Sequence, residues 1–283
     1  MRGGVLFIAA GDAGAARTAA ASAAREVIVD VEDLLPPDRR LAGRDALAAA
    51  LAPRRPDRRG HVRVNGLETD LGFADPMAAT ALPVACMGEP RGETRERLAI
   101  VHRLLTAQER RRGLAPGSLG TVAILESARA FPALDRLGGR RAGRVRLGLG
   151  TGGPVIDLSL DRTRDATEPG YSCAALTLAS RAQGLAPPIG SVRIAMEDDA
   201  GLRASTRRGA AAGMQGKVCL DARQAGITAD TLGDAGRDRA ARLVAAFDTG
   251  RTEGGFVTAP ITAPIAALIA APIAERCRRQ LKA

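Results

Sequence analysis

A chain of 283 residues can bury a substantial core, as one large α/β domain or two smaller ones. The formal charge is +10, carried almost wholly by scattered arginines, with Lys217 and Lys282 the only lysines. Aromatic residues are only 2% of the chain, with no Trp and Tyr171 as the single Tyr, so a nucleic-acid interface lacks its stacking partners and a surface suited to phosphate or carboxylate ligands is the better expectation.

The opening "MRGGVLFIAAGDAG" has an early Arg and an apolar run, but "VLFIA" is too short for a secretory h-region and Asp12 breaks the small-residue stretch after it. It reads as a first core strand over 5–10. Further strands are expected at 26–33, 61–65, 83–87, 121–126, 144–150, 191–197 and 217–221. Most are nearly continuous Val, Ile and Leu runs, the pattern of parallel strands covered on both faces. Helical stretches separate them: "RDALAAALA", then 92–113 with Leu98, Val101, Leu104 and Leu105 on one stripe, then "CAALTLASRAQG" with Gly184 at its end, then "DDAGLRASTRRGAAAG". Strand–helix alternation of this kind predicts an α/β fold, a (β/α)8 TIM barrel over residues 1–232, with a doubly wound open sheet as the alternative. No GxGxxG turn follows the first strand to support that alternative.

Beyond residue 232 the rhythm changes to a helix and a Pro-punctuated segment, "APITAPIAALIAAPIAERCRRQLKA". Residues 233–283 are expected to form a C-terminal helical extension that packs on a neighbouring subunit. No apolar run reaches the length of a membrane helix, so no membrane partner is expected. Cys86, Cys173, Cys219 and Cys277 lack CxxC spacing and read as small buried hydrophobes in a reducing, cytoplasmic setting. His61 and His102 share no metal spacing. Lys217, at the start of its strand, reads as packing at the barrel bottom.

In such a barrel the chemistry sits at the C-terminal strand ends. Those ends carry Asp12, Glu32 and Asp33, Arg63 and Asn65, Arg91 and Glu93, Glu126, Asp157, Glu197 and Asp198, and Asp221. Carboxylates with an arginine and no histidine cluster suit a hard cation such as Mg²⁺, which takes oxygen ligands and leaves positions for substrate oxygens. Such an ion polarises a keto acid and stabilises its enolate, and Arg63 is placed to hold a carboxylate or the developing oxyanion. Glu126 is then one arm of a metal clamp; an N-cap or an ordinary ion pair is the other reading of the same residue.

Several stretches in order resemble the HpcH/HpaI aldolase and citrate lyase beta-subunit family. "EVIVDVEDLLPPDRR" is similar to its "VILDLEDAVPP", "VRVNGLETDLGFAD" to "VRVNP…T.WG..D", and "EPRGET" to "LPKVES" with Arg91 in place of the usual lysine. "ILESARA" is similar to "IETARA", "VIDLSLD" to "IDFALDLG", and "GMQGKVCLDARQ" to "GF.GKLCIHPRQ". The resemblance implies a barrel that assembles as a homotrimer or homohexamer. It implies a Mg²⁺-dependent lyase or aldolase acting on a β-hydroxy acyl-CoA or a related hydroxy-keto acid. Glu126 and Asp157 would be the metal ligands, Arg63 the catalytic and substrate-binding residue, and Glu32, Asp33 and Arg91 would complete the substrate pocket. Three departures bear on this. The "LGTGGPVIDL" loop is longer than the family's, so Gly153 competes with Asp157 for the ligand position. Asp221 stands where a His is usual. Thr262 stands where the C-terminal segment usually carries an acid–base Asp, and a threonine cannot act as that base near neutral pH. A family member that binds a small keto acid or CoA ester without efficient turnover is therefore the second reading.

Overall fold

The computed structural model describes residues 3–53, 59–82, 84–138, 144–150, 169–253, 258–262, 265–268 and 277–278. The chain divides into two compact units, Met1–Ala229 and Asp230–Ala283.

The first unit is a barrel. Strands β1 (Gly3–Ala9), β2 (Glu26–Asp30), β3 (Arg59–Arg63), β4 (Cys86–Glu89), β5 (Gly120–Leu125), β6 (Arg144–Leu149), β7 (Ala186–Ile189) and β8 (Gly216–Cys219) run parallel in the order β7-β6-β5-β4-β3-β2-β1-β8. The ring closes through a parallel bridge between Gly190 and Lys217, with Gly190 N donating to Gly216 O (2.8 Å) and Val218 N donating to Gly190 O (3.0 Å). This is the (β/α)8 arrangement expected from the alternation of strand and helix.

Around it lie α1 (Ala13–Ala21), α2 (Arg40–Asp45), α3 (Leu47–Leu51), α4 (Ala74–Thr80), α5 (Arg95–Arg112), α6 (Gly170–Ala182) and α7 (Asp199–Ala211), and α8 (Ala222–Glu253) begins after β8. Helix ends follow local chemistry. Thr94 caps α5 by accepting from Arg97 N (3.2 Å), and Gly113 terminates it in the left-handed region at φ 63°. Leu98, Val101 and Leu105 of its apolar stripe are buried, and Leu104 is half-buried. Alternate residues divide the strands. Leu6, Ile8, Val27, Val29, Val62, Val64 and Met87 face the helices, whereas Val5, Ile28, Val122 and Ile189 form a separate cluster inside the barrel.

The seventh strand lies earlier than the sequence predicts. The expected stretch 191–197 is irregular, and "APPI" at 186–189 takes the stave instead. Gly184, at φ 68°, turns the chain sharply out of α6, so the strand must begin almost at once. Two prolines are tolerated there because their carbonyls make the bonds: Pro187 O accepts from Arg146 Nε (2.8 Å) and Pro188 O from Gln215 N (3.0 Å). In the second unit, β9 (Thr258–Thr262) and β10 (Ile265–Leu268) pair antiparallel, a feature the Pro-punctuated sequence did not reveal. No helix among the described residues is long and apolar enough to cross a membrane.

The floor of the barrel is polar. His61 Nε2 lies 3.0 Å from Glu26 Oε2, and Arg146 Nη1 lies 3.3 Å from Glu26 Oε1. Burial alone would lower the pKa of His61, but hydrogen bonding to Cys86 and Glu26 outweighs it and pushes the imidazole up to about 9 from 6.5. Burial would raise Glu26, but His61, Arg146 and Arg59 hold it down at about 2. The imidazolium therefore stabilises the fold fully below pH 6.5, its unfolded value, and that contribution is lost as pH rises through about 9. The unfolding free energy of wild type minus that of His61→Gln is expected to shrink by on the order of 1–3 kcal/mol between about pH 6 and about pH 9.5, as read by urea denaturation.

Candidate active site

The site is built on the pair Asp30–Arg63. "EVIVD" alternates, so Glu26, Ile28 and Asp30 share the inner face of β2. Asp30, at its end, is fully buried and receives Arg63 as a fork, with Nε to Oδ1 at 2.6 Å and Nη2 to Oδ2 at 2.8 Å. The same carboxylate accepts from Glu32 N (3.2 Å) and Leu34 N (2.7 Å), so it also shapes the turn after β2. The Arg63 guanidinium lies 4.8 Å from the Phe7 ring centre. Burial alone would lower its pKa, but Asp30, Glu32 and Asp33 raise it instead, so Arg63 is permanently charged.

The third nitrogen, Nη1, faces outward to Glu32 Oε2 (3.3 Å) and Asp33 Oδ2 (3.5 Å). Arg63, Asp33 and Glu126 line one cavity of about 210 Å³. Glu126 follows β5 and is placed through its backbone. Glu93 Oε1 accepts from Glu126 N and Ser127 N, both at 2.8 Å, and Glu93 Oε2 accepts from Ser127 Oγ at 2.7 Å. Gly150 is required beside it, because a Cβ there would stand 2.5 Å from Glu126 Cγ. Asn65 fixes the loop after β3, donating through Nδ2 to Val31 O (3.0 Å) and Asp75 Oδ2 (2.6 Å).

The acids repel one another. Burial, then Asp33 and Glu126, raise Glu32 to about 7 despite Arg63. Burial, with Asp33 and Glu93, also raises Glu126 despite Arg63 and Arg91. Glu32 Oε2 is buried and accepts no well-aligned hydrogen bond. A divalent cation would relieve these strains, and Glu126 and Glu32 are the donors chemically suited to it. Among the described residues no group of three His, Cys, Asp or Glu side chains converges as a ligand set. The fit is thus to an ion held by one or two carboxylates that keeps water and substrate in its other positions, the habit of Mg²⁺.

The structure brings Arg63, Glu32, Asp33 and Glu126 together. Arg91 sits on an exposed turn at φ 52°, its Nη1 3.4 Å from Glu68 Oε1, and does not line the cavity. Asp157 and Gly153 lie outside the described residues. Three other rim acids cap helices: Asp12 accepts from Ala15 N (2.8 Å), Asp198 from Gly201 N (2.9 Å) and Asp221 from Gln224 N (2.6 Å). Glu197 is exposed, in keeping with the shifted seventh strand. Sequence reasoning missed Asp30, although strict alternation along β2 placed it beside Arg63. It named Glu93 as a rim residue, but no local pattern announces a carboxylate that positions the backbone of a residue 33 places on.

The model of the HpcH/HpaI aldolase/citrate lyase family matches residues 4–222. Among solved structures, the chain is similar to protein CitE of Mycobacterium tuberculosis in complex with magnesium, acetoacetate and coenzyme A, at TM-score 0.77 and 22% identity over 99% of this chain and 97% of that one. It is also similar to RipC of Yersinia pestis, at TM-score 0.65 and 20% identity over 82% of this chain and 95% of that one. The citrate lyase beta subunit of M. tuberculosis complexed with oxaloacetate and magnesium aligns at TM-score 0.65 and 23% identity over 82% and 97%. At these identities the likeness is one of fold. No curated protein matches the sequence.

Glu93→Ala removes the acceptor of two backbone amides and a hydroxyl. It is expected to lower unfolding free energy by about 2–4 kcal/mol, whereas Glu126→Gln, which relieves like-charge crowding, is expected to stay within about 1 kcal/mol of wild type, both by chemical denaturation.

Proposed function

Because the chain belongs to the HpcH/HpaI aldolase/citrate lyase family, we propose that it is a Mg²⁺-dependent carbon–carbon lyase or aldolase acting on a β-hydroxy acyl-CoA or a related hydroxy-keto acid. The observation that carries this reading is the forked Asp30–Arg63 pair at the mouth of a cavity that Glu126 also lines. The relatives of known structure hold magnesium with acetoacetate and coenzyme A, or with oxaloacetate.

In this reading Glu126 holds the metal, with Asp157 as its partner. Mg²⁺, when bound, would polarise a keto oxygen and offset the negative charge of an enolate. Arg63 supplies the protein's own share. Its Nε and Nη2 are committed to Asp30, so the guanidinium cannot rotate, and Nη1 is the donor left toward the mouth. A carboxylate or enolate oxygen arriving there competes with Glu32 and Asp33 for that nitrogen. Preorganisation of this kind is worth more than an equally charged but mobile side chain, because no reorientation is needed as charge develops. The apolar wall formed by Phe7, Ile124 and Leu149 keeps bulk water from the reacting carbons.

The same proposal extends to a homotrimer or homohexamer in the cytoplasm, with residues 233–283 packing on a neighbouring copy. It is supported by the apolar composition of that segment and by the absence of any disulfide among the four cysteines.

Titration calorimetry is expected to give ternary binding of pyruvate or oxaloacetate that depends on Mg²⁺. Glu126→Ala abolishes it, and Arg63→Lys, which loses the fork, weakens it by roughly tenfold or more. Cleavage of acyl-CoA substrates to a keto acid completes the assignment. Intact ligand binding without cleavage would favour the binding-only reading that Thr262 raises.

A further inference from the structure

The barrel is hollow where barrels of this architecture are filled with layers of side chains. Below Arg63 and Glu126 the cavity is walled by Phe7, Ile28, Val122, Ile124, Ile189 and Val218. Phe7, Ile124 and Val218 point inward, yet each keeps partial exposure, because the cavity reaches them. The hollow has a sequence origin. β4 and β6 present Gly88 and Gly148 to the interior, and the space that side chains there would occupy is left open. A Cβ at 88 would stand 3.3 Å from Arg63 Cα, and one at 148 would stand 3.3 Å from Val122 Cγ1, so a side chain at either position would press on its neighbour as well as enter the hollow.

Among the described residues, Ser191 and His61 are the polar side chains on the wall besides Arg63, Asp33 and Glu126. His61 is turned to other work: its Nε2 lies 3.0 Å from Glu26 Oε2, which in turn meets Arg146. A second carboxylate lowered into this space would lose its water against a mostly aliphatic wall whose buried cation beneath Arg63, His61, is already balanced by Glu26, a costly exchange. An alkyl group would gain aliphatic contact on all sides.

We propose that the hollow is a sleeve for an alkyl substituent, so that the preferred acid carries an apolar tail rather than a second carboxylate. The inference rests on the keto-acid reading above and deepens it by naming what lies beyond the reacting carbons. A volume of about 210 Å³ leaves room for two or three methylenes in addition to the head group, each comparable to a water at roughly 30 Å³. Each buried methylene should tighten binding about fourfold.

The test is calorimetry on the full chain in saturating Mg²⁺ with pyruvate, 2-oxobutanoate, 2-oxopentanoate and oxaloacetate. Affinity is expected to rise about fourfold with each added methylene, with oxaloacetate no tighter than pyruvate. In Val122→Phe, which fills the sleeve, the gain from pyruvate to 2-oxopentanoate should fall below about twofold. Ile189→Ala, which widens it, should move the best ligand to a longer acid. A flat or falling series, or oxaloacetate as the tightest ligand, would overturn the sleeve while leaving the keto-acid reading standing. Failure of all four acids to bind overturns that reading and the sleeve with it.

Discussion

Everything at the mouth of the barrel depends on one buried ion pair. Asp30 and Arg63 end adjacent parallel strands and meet in a two-bond fork inside the ring. A pair removed from water in this way contributes modestly to net stability, but losing either partner strands a charge in the interior at a cost of about 3–5 kcal/mol. Its return is orientation. The fork fixes two of the three guanidinium nitrogens, and the same carboxylate pins the turn that carries Glu32 and Asp33. The acidic crowd around Arg63 is thus a consequence of strand register as much as of local sequence.

The barrel was legible because its staves are short aliphatic runs spaced by helical stretches, a signal that depends on burial and period alone. The seventh stave was not, because "SVRIAME" has the better strand composition while "APPI" has the better position. Turn geometry at Gly184 decided between them, and no window of hydrophobicity contains that information. At the rim, residue type alone could not separate a ligand from a cap. Asp12, Asp198 and Asp221 sit immediately before helices and satisfy amides there, while Glu126 leaves its carboxylate to the cavity. What distinguishes Glu126 is a carboxylate 33 residues earlier that anchors its backbone amide and the next one.

Glycine does opposite work at two levels of the barrel. Gly150 clears space beside a functional carboxylate, whereas Gly88 and Gly148 empty the interior below it. Both effects come from absent atoms and are invisible to any search for reactive residues. The polar floor of Glu26, His61 and Arg146 closes the hollow from beneath. A cavity open at the charged end and sealed at the other by a compensated cluster imposes a direction on whatever enters.

The proline stave gives the barrel seam a polarity of its own. Pro187 and Pro188 offer carbonyls and no amide hydrogens, so donors there come from Arg146 and Gln215, and Gly190 donates its amide across the closing seam to Gly216 O. A slip of one residue along this seam would turn Ile189 from the lumen to the helical layer, and a slip of two would set the Pro188 ring where Gly190 now gives its hydrogen. The two prolines therefore act as a key that admits a single alignment of the closing staves, and ring closure is set by what those residues cannot donate.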